Sequence, residues 1–464
     1  MKENELAVNS NDRRANLPEE NKMGTEPIRK LLITMSLPLI VSNLVQALYN
    51  IVDSIFVSRI NEDALTAVTL CFPFQMLMIS FGIGAAVGMG ALLSRYLGAG
   101  LTDKVDKVAH NGILLGFLNY AIFFSVGLFL SETLIEAQIN DPVVIEYGKT
   151  YLSIVCMLSI GFMMQITVER LLQATGKTIY ILFTQGIGAV INIILDPILI
   201  FGWFGAPEMG IAGAAAATVF GQIFAFVLGL IFNIKKNHEV TLHIKHLKPD
   251  FEIIKEIYRI AIPSIIMQSI GSVMNIAMNK VLVSFTKTAV AVFGVYFKLQ
   301  SFIFMPVFGL NNGVVPIAAY NYGARKRDRL EEVMKISVSY AIVIMLLGTI
   351  TFWAIPDTLL GMFDASPYML EIGRSCLRTI SLCFPFAAYA IMRGAIFQAL
   401  GKSVYSMNIS IMRQLLVLIP ASILLGMTGN VNNVWWAFPI AEVVGCTSSV
   451  LYTRRIRRKI INNI

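Results

Sequence analysis

Charge is scarce in this sequence. Only 14% of its 464 residues are Asp, Glu, Lys or Arg, against about 25% in a soluble domain. So few charges cannot cover the surface of a water-soluble chain this long, which would have split into domains with polar exteriors. Cysteine is sparse too. Cys71, Cys156, Cys376, Cys383 and Cys446 are odd in number, scattered and without a CxxC pair; they read as small buried apolar residues, not disulfides. No HExxH or GxGD occurs, which leaves a zinc protease or a membrane aspartyl protease without its motif. Thr175-Gly176-Lys177-Thr178 resembles the end of a phosphate-binding loop, but Leu171 stands where GxxxxGK[ST] needs its first glycine. The first 29 residues have no apolar stretch before a cleavage site, so they read as a cytoplasmic tail and not a secretory signal. His238, His243 and His246 cluster in a central loop, where a solvated loop is the default reading and a metal site the alternative.

Apolar sequence is what this chain has. It is 56% hydrophobic with a mean hydropathy of +0.68. A helix needs about 20 mostly apolar residues to cross a bilayer. That window predicts an all-α polytopic membrane protein with twelve transmembrane helices, near 30–57, 63–94, 108–130, 143–169, 178–202, 210–234, 255–285, 289–320, 334–355, 368–392, 403–427 and 432–453. Of the 37 Lys and Arg, 29 fall in alternate links beginning with the N-terminal tail, 5 fall in the others, and Lys280, Lys298 and Arg413 remain inside spans. The positive-inside rule then places both termini in the cytoplasm. The net charge of +8 reflects this topology and does not call for nucleic acid; the basic run Arg454 to Lys459 is a membrane anchor, and the partner is the lipid bilayer.

The chain also repeats itself at an offset of 225 residues. Pro38 matches Pro263, Asn50-Ile51 matches Asn275-Ile276, and Gln75 matches Gln300. Gly84, Gly88 and Gly98 match Gly309, Gly313 and Gly323, and Pro142, Glu146 and Gly148 match Pro367, Glu371 and Gly373. Gln173-Ala174-Thr175-Gly176-Lys177 aligns with Gln398-Ala399-Leu400-Gly401-Lys402. Two homologous lobes follow, 30–234 and 251–453, with tail 1–29, cytoplasmic linker 235–250 and basic tail 454–464 around them. Six spans per lobe is an even number, so the lobes run parallel about an axis along the membrane normal, an arrangement recurrent in secondary transporters. The paired glycines predict close helix contact.

Polar residues inside apolar spans each need a reason, since an ionisable group at mid-span costs about 2.5–3.5 kcal/mol on insertion scales. Asn43, Gln46, Asn50 and Asp53 recur at steps of three and four on the first span, Asn192 and Asp196 lie one turn apart on the fifth, and Thr218 and Gln222 do so on the sixth. If these faces share one cavity, its two carboxylates can hold and release a proton or coordinate Na+. The alternative is that both aspartates reach interfacial water. The second lobe lacks the pair: Met278 and Ala421 stand at the matching positions, and Lys280, Lys298, Arg413 and Glu442 appear instead. Lys298, beside Gln300, is either a cavity cation or a snorkelling side chain. The Glu169–Arg170 pair and Arg393, near cytoplasmic ends, read as structural pairs.

The run Leu37 to Asp53, with Asn192-Ile193-Ile194-Leu195-Asp196-Pro197, resembles the first and fifth helices of the MATE (multidrug and toxic compound extrusion) transporters. Val292 to Gln300 and Gly309-Leu310-Asn311-Asn312-Gly313 resemble the eighth helix of the MepA/DinF-like bacterial branch. The resemblance runs from about residue 28 to 455. It implies a V-shaped bundle of two six-helix lobes in a bacterial inner membrane, working as a monomer that exports small amphipathic or cationic molecules by H+ or Na+ antiport, with no cofactor beyond the coupling ion. Residue by residue, it implies that Asp53, Asn192, Asp196 and Thr218 couple the ion. Asn43, Gln46, Asn50, Gln222, Asn275, Lys298 and Gln300 are then the polar lining of the cavity. The acidic residues that NorM-like members carry in helix seven have no match, since Asn275, Met278 and Asn279 occupy that region. A flippase for lipid-linked sugars from the same wider superfamily is the alternative, resting on Lys280 and Lys298; a membrane enzyme has no catalytic constellation to support it.

Overall fold

The computed structural model describes residues 21–242, 248–363 and 365–463. His243 and His246 of the histidine cluster, and residues 1–20 of the tail, lie outside them, while His238 is exposed in its loop. Ten helices are long and apolar enough to cross a membrane, and two bent pairs each make one further span, which brings the described total to twelve. The straight spans are Ile28–Ser58, Glu62–Gly98, Thr102–Phe129, Ile179–Phe201, Ile211–Lys236, Phe251–Val283, Lys287–Gly323, Arg327–Ala354, Ser403–Gly426 and Val431–Asn463. Pro142–Met157 with Ile160–Ala174 forms the fourth, bent by 42°, and Pro367–Ser381 with Phe384–Ala399 forms the tenth, bent by 46°.

The repeat is written into the local chemistry that starts and stops these helices. Asn61 accepts from the Ala64 amide at 2.7 Å at the head of the second span, and Thr286, 225 residues on, does so for Ala289 at 3.1 Å at the head of the eighth. Asp141 caps the fourth span before Pro142, and Ser366 caps the tenth before Pro367. Each cap satisfies amides that the first helical turn leaves free. The turn after each bent span carries a left-handed glycine, Gly176 at φ +86° and Gly401 at φ +70°. The phosphate-loop lookalike is therefore a turn: Lys177 is held by Glu239 in an ion pair of 2.5 Å and by the Lys236 carbonyl.

Many large apolar side chains are exposed, among them Leu347, Ile350 and Leu424. On helices of this length, that is the face a protein turns to lipid. All five cysteines are free; four are buried and Cys446 is half-buried.

The lobes join along a two-fold seam at the end that carries the described termini. Gly84 and Gly88 of the second span lie against Ile257, Ala261 and Ile265 of the seventh, and Gly309 and Gly313 of the eighth lie against Ile40 and Ser36 of the first. At the end of the seam, where the second and eighth spans finish, Gly98 meets the Tyr320 carbonyl and Gly323 meets that of Arg95, so closely that a methyl group at either would overlap the opposite backbone. This is the close contact the paired glycines predict. Toward the other end the spans separate: an added methyl at Gly271 or Gly294 would touch nothing, and Leu48, Ile51, Val273 and Ile276 are exposed. The bundle is a V.

The short helix Lys22–Thr25 straps the closed end. Asn21 donates to the Thr175 carbonyl and to Glu239 on the first-lobe side. Met23, Gly24 and Glu26 present carbonyls to Asn321, Lys326 and Arg329 on the second. Two further bonds cross the seam, Gln173 to the Asn312 carbonyl at 2.5 Å and Tyr96 to Glu256 at 2.6 Å.

Candidate functional site

Each lobe holds a cavity walled mainly by its own spans. That of the first lobe has a volume of about 370 Å³ and is lined by spans one, two, four, five and six, with Asn312 of the second lobe on its wall. The polar stripe of the first span contributes Asn43, Gln46 and Asn50, along with Tyr49; Asn192, Thr218 and Gln222 face them. Spans five and six come this close because Gly188 and Gly221 meet backbone to backbone. That contact lets the Asn192 amide donate to Asp196 Oδ1 at 3.5 Å and reach Thr218 Oγ1 at 3.4 Å.

The aspartates follow one turn on from lining residues, Asp53 after Tyr49 and Asn50 and Asp196 after Asn192. Asp196 is fully buried, and Asp53 is the charge beside it. Tyr49 stands next to both. Asp53 Oδ1, Asp196 Oδ2 and Asn192 Oδ1 are sealed from solvent and receive no hydrogen bond. A buried acceptor without a donor is costly, and this part of the first lobe carries three of them. No basic side chain is paired with either carboxylate among the described residues.

Glu169 lies elsewhere on the cavity wall and has the opposite character. It is buried yet satisfied by Gln165 at 3.0 Å, Thr184 at 2.7 Å and Gln185 at 2.9 Å. Arg170 lines the same cavity without an ion pair to Glu169, so the expected structural pair is replaced by an amide and hydroxyl cradle. Sequence reasoning passed over Tyr49, Gln165 and Gln185. The signal for Gln185 was present, because Gln185, Gly188, Asn192 and Asp196 recur at steps of three and four on one face of the fifth span.

The second-lobe cavity measures about 380 Å³. Amides line it (Gln268, Gln300, Asn311, Gln398 and Gln414), with Tyr296, Phe304, Phe384 and Phe438 as aromatic walls. Where the first lobe has two aspartates, this one has an Arg413–Glu442 ion pair of 2.5 Å. Arg413 sits in a π-helical segment, Ile411–Leu418, a distortion that re-aims side chains within a helix. Gly445 leaves room for its stem.

Two expected cavity residues are elsewhere. Lys298 is exposed, with its ammonium 5.7 Å from the Phe363 ring. The eighth span turns Tyr296, Gln300 and Phe304 inward, one turn apart, and a residue two positions away from this row points to the opposite side. Asn275 bonds back to the Gly271 carbonyl of its own helix and lines neither cavity. Gln300 does line the second cavity, and Lys280 is exposed near the end of the seventh span.

A twelve-span V with a polar cavity in each of two related lobes defines a membrane transporter, not an enzyme. Comparison with known proteins carries this further. The MatE family model matches twice, over residues 38–198 and 263–424, with starting points 225 residues apart. The chain therefore belongs to the MatE family. It is 25% identical over 434 residues to the multidrug export protein MepA of Staphylococcus haemolyticus, covering 93% of this chain and 95% of the relative. It is 24% identical over 444 residues to MepA of Staphylococcus aureus, covering 94% and 95%. Among solved structures, a MATE in complex with MaL6 superposes with a TM-score of 0.89 at 22% identity, over 97% of this chain and all of that one. A MOP superfamily transporter from Pyrococcus furiosus, described as having a binding pocket of reversed polarity, gives 0.88 at 22% identity, over 96% and 99%.

Proposed function

We propose that the protein exports small amphipathic or cationic molecules, drugs among them, in exchange for H+ or Na+, by alternating access between its two lobes. The observation that carries this reading is the sealed set of acceptor oxygens on Asp53, Asn192 and Asp196. A proton or a bare Na+ satisfies it, whereas an anion would meet only repulsion. Thr218 extends the set through Asn192. The similarity to the MepA exporters supports the substrate class, and a roomy cavity with few fixed charges suits promiscuous ligands. The distribution of basic residues supports both termini in the cytoplasm of a bacterial cell, with the V opening outward. One chain supplies both lobes and both cavities, so the working unit is a monomer.

Export then requires the glycine seam and its strap to part while the opposite ends close, a rocking of two rigid lobes. The sugar-lipid flippase loses the two lysines it rested on, since Lys280 and Lys298 lie outside both cavities. The test is counter-transport in proteoliposomes. Ethidium uptake driven against an imposed proton gradient, with and without Na+, identifies the ion. Transport that ignores both gradients would sink the antiport reading.

A further inference from the structure

Arg393 is not paired as its sequence context suggests. Its Nε and Nη1 are buried without an acceptor, and its guanidinium lies 4.9 Å from the Tyr389 ring centroid. On the tenth span, Ala387, Ile391, Gly394 and Gln398 face the second-lobe cavity. Arg393 points the other way, two turns from the exposed Phe386. It there lines a separate cleft of about 590 Å³ between spans nine, ten and twelve, which also takes Asp328, Glu331, Glu332, Lys335 and Arg457.

The level of this cleft is that of a lipid headgroup. Arg393 lies about 9 Å inside the end of its span, and Thr453 on the same wall immediately precedes the basic run of the C-terminus. The cleft is balanced in charge, with three acids and three bases, but unevenly paired. Glu331 is taken by Arg327 at 3.2 Å and Arg457 at 2.8 Å. Asp328 and Glu332 are exposed at the rim and form no ion pair among the described residues. Arg393 is half-buried, with two guanidinium nitrogens sealed away from any acceptor; that is costly, and at this depth the abundant acceptor is phosphate.

We propose that this cleft is a binding site for a phospholipid whose headgroup carries both a phosphate and a primary ammonium, phosphatidylethanolamine. The phosphate takes hydrogen bonds from Arg393 and Lys335, and the ammonium donates to Asp328 and Glu332. A purely anionic headgroup such as glycerol phosphate meets the two free carboxylates with nothing to offer them. A choline headgroup has no N–H to donate.

Purified full-length protein, delipidated in detergent, is titrated with dioleoyl phosphatidylethanolamine, phosphatidylglycerol, phosphatidylcholine or free phosphoethanolamine. Native mass spectrometry reads the bound lipid, and the thermal midpoint reads its effect. The ethanolamine lipid is expected to be retained and to raise the midpoint, with the other two lipids and the free headgroup well behind. Arg393→Gln weakens retention about tenfold, the loss of charge-assisted hydrogen bonds. Equal retention of the choline lipid, or unchanged binding by Arg393→Gln, would overturn the proposal, and free phosphoethanolamine matching the lipid would assign the cleft to a soluble ligand. Should Arg393→Gln fail to fold, Asp328→Asn with Glu332→Gln at the exposed rim decides the matter. That pair must erase the preference for ethanolamine over choline; a preference that survives it sinks the site.

Discussion

The two lobes share caps, bends and glycines, yet they treat buried charge in opposite ways. In the first, the carboxylates of Asp53 and Asp196 keep oxygens that nothing in the protein satisfies. In the second, Glu442 is ion-paired with Arg413 through Oε1, although its Oε2 also lacks a hydrogen bond, and the positions equivalent to the aspartates are the buried Met278 and the half-buried Ala421. The repeat supplies two copies of one scaffold, and among the described residues only the first leaves its buried aspartates without a basic partner. A site that must bind and release an ion cannot carry its own permanent counter-ion. The lobe that does carry one can hold a fixed shape.

This contrast can be attacked from several sides. Asp53→Asn or Asp196→Asn is expected to reduce ion-coupled efflux to background in proteoliposomes while the purified protein keeps its thermal midpoint or raises it, because no partner is stranded. Wild-type export by either variant would remove the coupling role. The second lobe should respond the other way. Glu442→Gln alone is expected to cost about 3–5 kcal/mol, since it leaves Arg413 unpaired in a low-dielectric site, while Arg413→Met combined with Glu442→Leu is close to neutral; denaturation of the single and double variants checks the difference.

At the seam between the lobes, Gly323→Ala overpacks the backbone of Arg95 and penalises the closed end by about 1–3 kcal/mol, read as longer distances between spin labels placed on the two lobes there. Asn21→Ala removes the strap's two bonds to Thr175 and Glu239 and the cap on the Met23 amide, about 1 kcal/mol, and should speed proteolysis of the N-terminal segment. The smallest effect belongs to Asp250, outside the spans. The Ile253 amide, and Lys107 at 3.4 Å, hold its carboxyl below the usual range. Its contribution is therefore present above about pH 3.9 and lost as pH falls through the depressed value. Asp250→Asn should lower the midpoint slightly at neutral pH, and the gap should close in acid.

Spans, repeat and the first-lobe cluster were legible in the sequence because they rest on periodicity and on rare residue types in apolar surroundings. Asn192 and Asp196 announce themselves one turn apart. Lys298 was misleading for the same reason, since rarity marks a residue without telling which way its helix is turned. Only the neighbouring row Tyr296, Gln300 and Phe304 settles that. The Arg413–Glu442 pair joins residues 29 apart on different spans, through a π-helical segment that no simple period announces. The pairing of Gly98 with Tyr320 needs both lobes in place, and no local pattern contains it.

The strap has a consequence for the order in which the molecule is made. Met23 leaves the ribosome long before its partners: its carbonyl is bonded by Asn321, which is 298 positions later, and by Arg329, which is 306 later. Its side chain is wholly buried in the core of the second lobe. The N-terminal turn cannot settle until the eighth and ninth spans have been synthesised and inserted. Docking of the lobes is thus a late step of biogenesis, and a nascent chain halted before the eighth span carries its N-terminal segment undocked, with Met23 unburied and the segment open to protease.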